Sequence, residues 1–181
     1  MEIEHFVNKS VGEWSSMRSG HSLAFKQFEE VISDIKINLL SKQDRKVQDF
    51  LTLSGYSEGE VISPFEIEWS GTSNWEDTQA IKEQLKGNSL LIPIKHSSNS
   101  GIMLRSRGYA EANQAISEYE ILPESTIVLK TVYEQTIAEE RIWFVHQNVR
   151  CRSSVVKSKR MSAILQTSFA SEIRKVKKQS S

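Results

Sequence analysis

Alternation is the feature that most constrains this chain. Ile35, Ile37 and Leu39 are separated by Lys36 and Asn38, and Ile127 and Leu129 by Val128 in the β-branched run 126–133. A period of two puts one set of side chains on each face of a strand. Further strands are expected over 65–72, 89–95, 102–107, 115–121, 141–146, 149–156 and 161–173. Between them fall Lys86-Gly87-Asn88, Ser97-Ser98-Asn99-Ser100-Gly101, Pro123-Glu124-Ser125 and Gln147-Asn148, residue types that reverse a chain within a few positions. Connections this short join antiparallel neighbours, because a parallel pair needs a crossover of about a dozen residues.

About ten such strands imply a closed antiparallel β-barrel, mainly β, which leaves no edge strand exposed. One or two short helices accompany it. Over 44–53, Asp44 supplies an N-cap, Val47, Phe50 and Leu51 share a face, and Ser54-Gly55 stops the helix. A second short helix is expected within 23–32. Gly12-Glu13-Trp14 is similar to the Gly-x-Trp opening of lipocalin-like barrels, although an ordinary buried tryptophan near a turn reads the same way. With 181 residues, no repeat and no long linker, residues 1–181 are expected to form one domain.

Composition narrows the function. Lys plus Arg and Asp plus Glu both number 23, for a formal net charge of zero, and a nucleic-acid binder would need a basic field. No run approaches the ~18 apolar residues of a membrane span. Met1-Glu2-Ile3-Glu4-His5 has no signal-peptide character, so the Asn8-Lys9-Ser10 sequon is without meaning. Cys151 is the only cysteine, which excludes an intrachain disulfide and suits a reducing cytoplasm. His5, His21, His96 and His146 lack metal-ligand spacing, and neither a Gly-rich nucleotide loop nor a nucleophile elbow is present. No metal or cofactor is expected.

The hairpin 139–154 carries the chemistry. Arg150, Arg152 and Ser154 share one strand face and Cys151, Ser153 and Val155 the other. Across the Gln147-Asn148 turn, Glu140, Ile142 and Phe144 also share a face. Facing outward, these are solvated charges, the commoner case. Facing inward, they would line a barrel with cations and a carboxylate, at a cost of several kcal/mol per ion unless each is partnered; an acidic ligand would justify that arrangement. Arg18 and Arg105 add two candidate cations. Trp69, Trp75, Trp143 and Phe144 are either core and rim residues or walls for a flat conjugated ligand. Flanking arginines would favour a Cys151 thiolate, but its parity opposes theirs, and a structural cysteine is the better reading.

Together these segments resemble the CpcS/CpeS family of S-type bilin lyases, known from cyanobacteria and their plastid relatives, over nearly the whole chain. The resemblance runs through Gly12-Glu13-Trp14-Ser15-Ser16-Met17-Arg18, His21 to Glu29, Trp69-Ser70-Gly71-Thr72 with Trp75, and Met103-Leu104-Arg105 with Gly108-Tyr109-Ala110-Glu111. Its most specific parts are Glu139-Glu140-Arg141-Ile142-Trp143-Phe144 and Asn148-Val149-Arg150-Cys151-Arg152-Ser153-Ser154. The chain departs from the pattern where Ala170 stands in place of an expected Cys, in Ser168-Phe169-Ala170-Ser171-Glu172-Ile173-Arg174, and in the short Ser-rich turn 95–101.

The resemblance implies a lipocalin-like barrel that binds a free bilin, an open-chain tetrapyrrole, as substrate. The bilin is then joined as a thioether to a cysteine of a phycobiliprotein subunit. It favours the inward face, with Arg150 and Arg152, and Arg18 and Ser154 beside them, holding the bilin propionates. Glu140 is the expected catalytic carboxylate at the pyrrolic N–H groups, with Glu139 second. Trp69 and Trp75 would pack on the rings, and Cys151 would take no part. Phycoerythrobilin and a phycoerythrin subunit are the preferred substrate and acceptor. The compartment would be the cytoplasm or, in an alga, the plastid stroma, and a homodimer is compatible. A non-catalytic bilin carrier and a barrel binding another acid are the alternatives; the latter would need an aliphatic tunnel.

Overall fold

Eleven strands and two helices organise the computed structural model, which describes residues 1–56, 60–73, 85–108, 114–161 and 163–176. Helix α1 (Ile3–Ser10) leads into β1 (Gly12–Ser22) and β2 (Gln27–Leu39). Helix α2 (Arg45–Ser54) precedes β3 (Glu60–Val61), β4 (Phe65–Ser73), β5 (Lys86–Lys95) and β6 (Ser100–Arg105). Strands β7 (Ala115–Ile121), β8 (Ile127–Val132), β9 (Thr136–His146), β10 (Val149–Ser158) and β11 (Ile164–Arg174) complete the chain. The hydrogen-bonded order β5-β4-β2-β1-β11-β10-β9-β8-β7-β6 returns to β5, closing a ten-stranded antiparallel barrel, and β3 adds a two-residue rung on β5. The expected fold class is therefore the observed one.

Alternation explains most walls. In β7, Ala115, Ser117, Tyr119 and Ile121 are buried while the residues between them are exposed. Strand β5 breaks the pattern, with Ser89 through Ile94 all buried. Its second face is covered by α2, whose Val47 and Phe50 pack with Leu90, Ile92, Ile94, Ile102 and Leu104. A strand buried on both faces loses its polar alternation. The caps of α2 are those expected: Asp44 accepts from the Lys46 N–H at 2.9 Å, and Gly55 takes the left-handed conformation at φ 67°.

Helix α1 was not expected, although Ile3, Phe6, Val7 and Ser10 stand at helical spacing and are buried. It packs onto inward residues at one end of the barrel, including Trp14, Ile37, Phe65, Ile121 and Ile127. Trp14 donates to the Ser10 carbonyl at 2.9 Å, and Arg174 donates to the carbonyls of Lys9 and Val11. The far end, on the side of β7 to β10, is filled by Ala115, Tyr133, Ala138 and Val156.

The helix expected within 23–32 does not form. Residues 23–26 make the turn of the β1–β2 hairpin, with Lys26 at φ 53°, and β2 then runs from Gln27. Val31 is paired with Arg18 on one side and Ser73 on the other. A ladder on both edges outweighs local helix preference.

Candidate functional site

The register of the β9–β10–β11 ribbon decides which way the charged hairpin faces. Arg150 lies opposite Glu172 and Phe144, Arg152 opposite Ala170 and Ile142, and Ser154 opposite Ser168 and Glu140. Paired residues share a face, and Glu140, Glu172, Arg150 and Ser154 are all buried. That face therefore points into the barrel.

Inside, a cavity of about 300 Å³ lies between β1, β2, β4, β5, β6, β10 and β11, with Arg18, Trp69, Arg105, Arg107, Arg152 and Glu172 in its wall. Ile35, Ile67 and Leu91 supply its apolar side. A larger depression of about 540 Å³ over β1, β2, β4 and β5 has Glu13, Asp34 and Glu68 balanced by Lys36, Lys86 and Lys175. Its charges cancel on an open surface, so we place the site in the interior cavity.

Glu140 is fully buried and bridges two arginines. Its Oε1 takes a short ion pair from Arg152 Nη2, and its Oε2 lies 2.7 Å from Arg105 Nη2 without hydrogen-bond alignment. Burial alone would push this carboxyl's pKa up. The two guanidiniums outweigh that and hold it below the ordinary carboxylate value. The carboxylate stands behind the cavity wall, and its two partners form that wall. Glu140 is thus joined to the cavity wall through Arg105 and Arg152.

Arg150 is held by a carboxylate of its own. Its Nε and Nη2 both lie 2.5 Å from Glu172 Oε2, and its guanidinium stacks over Trp14 at 4.8 Å. It is held below the cavity instead of lining it, and burial lowers its pKa against the opposing pull of Glu172. Ser154 lies behind Ser168, hydroxyl to hydroxyl at 2.7 Å, and it is Ser168 that reaches the cavity. Arg18 pairs with Glu29 at 3.4 Å, and Glu29 also accepts from Ser73 at 3.1 Å. Trp69 forms a wall, whereas Trp75 lies outside the described residues. Cys151 turns away from the cavity, opposite Trp143 and Ser171. Burial and the Glu172 charge raise its pKa, the reverse of an activated thiol.

Sequence reasoning missed Arg107, Glu172 and Glu29. The spacing of Arg105 and Arg107 was a usable sign, as was the shared parity of Ala170 and Glu172 on the closing strand. Among the described residues, five arginines (18, 105, 107, 150, 152) meet three carboxylates (29, 140, 172) in and around the cavity. An arginine-rich wall suits a ligand bearing carboxylates.

A sequence profile described as CpeS-like protein matches residues 2–175. The chain belongs to the CpeS-like family. It is 45% identical to the chromophore lyase CpcS/CpeS 3 of Trichodesmium erythraeum, covering 96% of this chain and 99% of the relative. A Microchaete diplosiphon protein, provisionally assigned as a phycoerythrobilin lyase CpeS, is 38% identical over 97% of this chain and 79% of its own. The solved S-type phycobiliprotein lyase CPES from Guillardia theta superposes with a TM-score of 0.83 at 32% identity, covering 98% of this chain and 95% of that one. In this family member Ala170 lies between Arg18 and Arg152 in register, so a methyl group separates two guanidinium-bearing positions of the cavity wall.

Proposed function

We propose that this CpeS-like protein is a bilin lyase: it binds a free bilin in the barrel and presents it to a cysteine of a phycobiliprotein subunit. The observation that carries this is a cavity walled by Arg18, Arg105, Arg107 and Arg152 together with Trp69, which suits a flat tetrapyrrole with two propionates. Arg152 and Arg18, at 27% and 31% side-chain exposure, would form charge-assisted hydrogen bonds with those carboxylates. Trp69 fixes the ring face. The acceptor thiolate adds to the exocyclic ethylidene, one C–S bond forms, the tetrapyrrole takes up one proton, and no group leaves. Glu140 acts on this step through the two arginines it holds, setting the positive charge that stabilises the bilin as its conjugation shifts.

Phycoerythrobilin is the preferred substrate and a phycoerythrin subunit the preferred acceptor, supported by the greater identity to the Microchaete diplosiphon relative (38%) than to a phycocyanobilin lyase subunit of Picosynechococcus (31%). Cytoplasm or plastid stroma would house both partners. The test is to mix the purified protein with each bilin and apo-subunit and measure the thioether adduct that survives acid denaturation. Faster, cleaner adduct formation than without the protein is expected. A coloured complex with no gain in adduct would make it a carrier and refute the lyase reading.

A second copy of the chain would pair through the outer face of β1, β10 and β11. Outward residues there are Ser15, Met17, Ser19, Cys151, Ser153, Val155, Thr167, Phe169, Ser171 and Ile173, none of them charged. Met17, Phe169, Ile173 and the adjoining Ile32 are 62%, 46%, 59% and 58% exposed. Three strands by eight residues cover about 400 Å² per copy, so a symmetric pair would bury about 800 Å² from these strands alone, and flanking residues of β2 such as Ile32 would have to join to approach the ~1,000 Å² of a specific interface. The face is on the barrel wall, leaving the cavity free. Sedimentation should show a dimer that Phe169→Glu dissociates without loss of bilin binding; a monomeric parent refutes the pairing.

A further inference from the structure

Beyond the residues that sequence reasoning assigned, one cavity cation has no carboxylate partner among the described residues. Arg107 follows the end of β6, yet its backbone is fixed to β5. Ser89 Oγ accepts from the Arg107 N–H at 3.3 Å and donates to the Arg107 carbonyl at 3.1 Å, and Ser106 Oγ accepts from the Leu90 N–H at 2.8 Å. The guanidinium lies 5.6 Å from the centre of the Trp69 ring, at the distance of a cation–π contact. Across the β4–β5 ladder Trp69 is paired with Gly87. A Cβ on Gly87 would come within 2.6 Å of Trp69 Cζ2 and 2.8 Å of Arg107 Nη1, closer than atoms can pack. The missing side chain at Gly87 is thus what leaves room for the stack.

Next along the same wall is Arg105, 5% exposed, whose Nε has no hydrogen-bond partner among the described residues. A buried guanidinium N–H without an acceptor is a destabilised donor. We propose that Arg107, stacked on Trp69 over Gly87, together with the Arg105 Nε–H, forms a carboxylate subsite that receives one of the ligand's two acidic groups. Arg18 and Arg152 are left for the other. The subsite makes the protein selective for diacids over monoacids of the same shape. This rests on the bilin reading above.

The experiment compares phycoerythrobilin with its dimethyl ester, which keeps the conjugated rings and removes both negative charges. The parent should bind the diacid at least a hundredfold more tightly, since each charged hydrogen-bonded group contributes about tenfold or more. Arg107→Gln should lose about tenfold for the diacid and almost nothing for the ester. Gly87→Ala, with both stacking residues still present, should show the same selective loss, because the new methyl displaces them. An acid-to-ester ratio in Arg107→Gln equal to the parent's overturns the subsite. So does an equal fall for acid and ester, which would mark Arg107 as merely structural. Failure of the parent to bind either form instead refutes the bilin reading itself.

Discussion

Replacing Glu140 with Gln probes the one carboxylate on which two cavity arginines depend. Breaking a buried ion pair by removing one partner costs about 3–5 kcal/mol, mostly from the charge left behind. Two features place this variant near the lower end. Gln retains an oxygen that can accept from one guanidinium, and Arg152, 27% exposed, can turn toward the cavity. Arg105, with 6% of its side chain exposed, has no such escape. A loss of about 3 kcal/mol is therefore expected at neutral pH, read from urea unfolding at an unchanged m-value, and about 6–12 °C in Tm. Adding Arg105→Met should recover much of it, because an apolar residue of similar volume removes the stranded charge. The pH dependence has a definite sign. The folded carboxyl is held below its ordinary value of 4.5, so its contribution is complete above that value and lost as pH falls through the lower folded one. The gap between parent and variant should close in acid. Bilin capture should survive with an altered absorption spectrum, and transfer should slow. A loss below about 1 kcal/mol at pH 7, or a double variant no better than the single, would refute the idea that Arg105 depends on Glu140.

Arg152→Ala should weaken bilin binding by about tenfold or more while the fold survives, whereas Arg150→Ala should chiefly destabilise, because it strands the buried Glu172 and removes the contact over Trp14. Equal loss of binding in both variants, measured by titration at matched folded fraction, would contradict the assigned division. Cys151→Ser should keep both capture and transfer, since the sulfur faces outward and burial raises its pKa; bilin retained covalently by the denatured parent, with transfer lost in the variant, would establish a lyase-bound intermediate instead.

The barrel was readable because its signal is repeated. Each strand that alternates adds an independent vote, and the turn residues between strands exclude crossovers. The helix α2 was equally plain, with a cap at Asp44 and a stop at Gly55. What failed was local: a helix expected within 23–32 lost to cross-strand pairing on both sides of Val31. The eight residues of α1 gave too brief a pattern to stand against the strand signal, although Ile3, Phe6 and Val7 had the spacing. The strand β1 was hidden in Gly12–Ser22 because serines occupy so many of its positions.

The site was legible in parity but not in depth. Alternation placed Arg150, Arg152 and Ser154 on one face, and strand pairing confirms that shared face. It could not say how far down the barrel each residue stands, and depth is what separates their duties. Two residues along a strand shift a side chain by about 6.6 Å. That distance carries Arg150 from the cavity to Glu172 and Trp14, and puts Ser154 behind Ser168. Partners from distant strands were beyond any sequence pattern. Arg105 and Glu140 are 35 positions apart by number, yet they meet at 2.7 Å because ring closure brings β6 and β9 to one interior. A cation's function in a barrel is thus fixed by which carboxylate reaches it first. Arg150 is held by Glu172, whereas Arg105 and Arg152 converge on one Glu140 at the cavity wall.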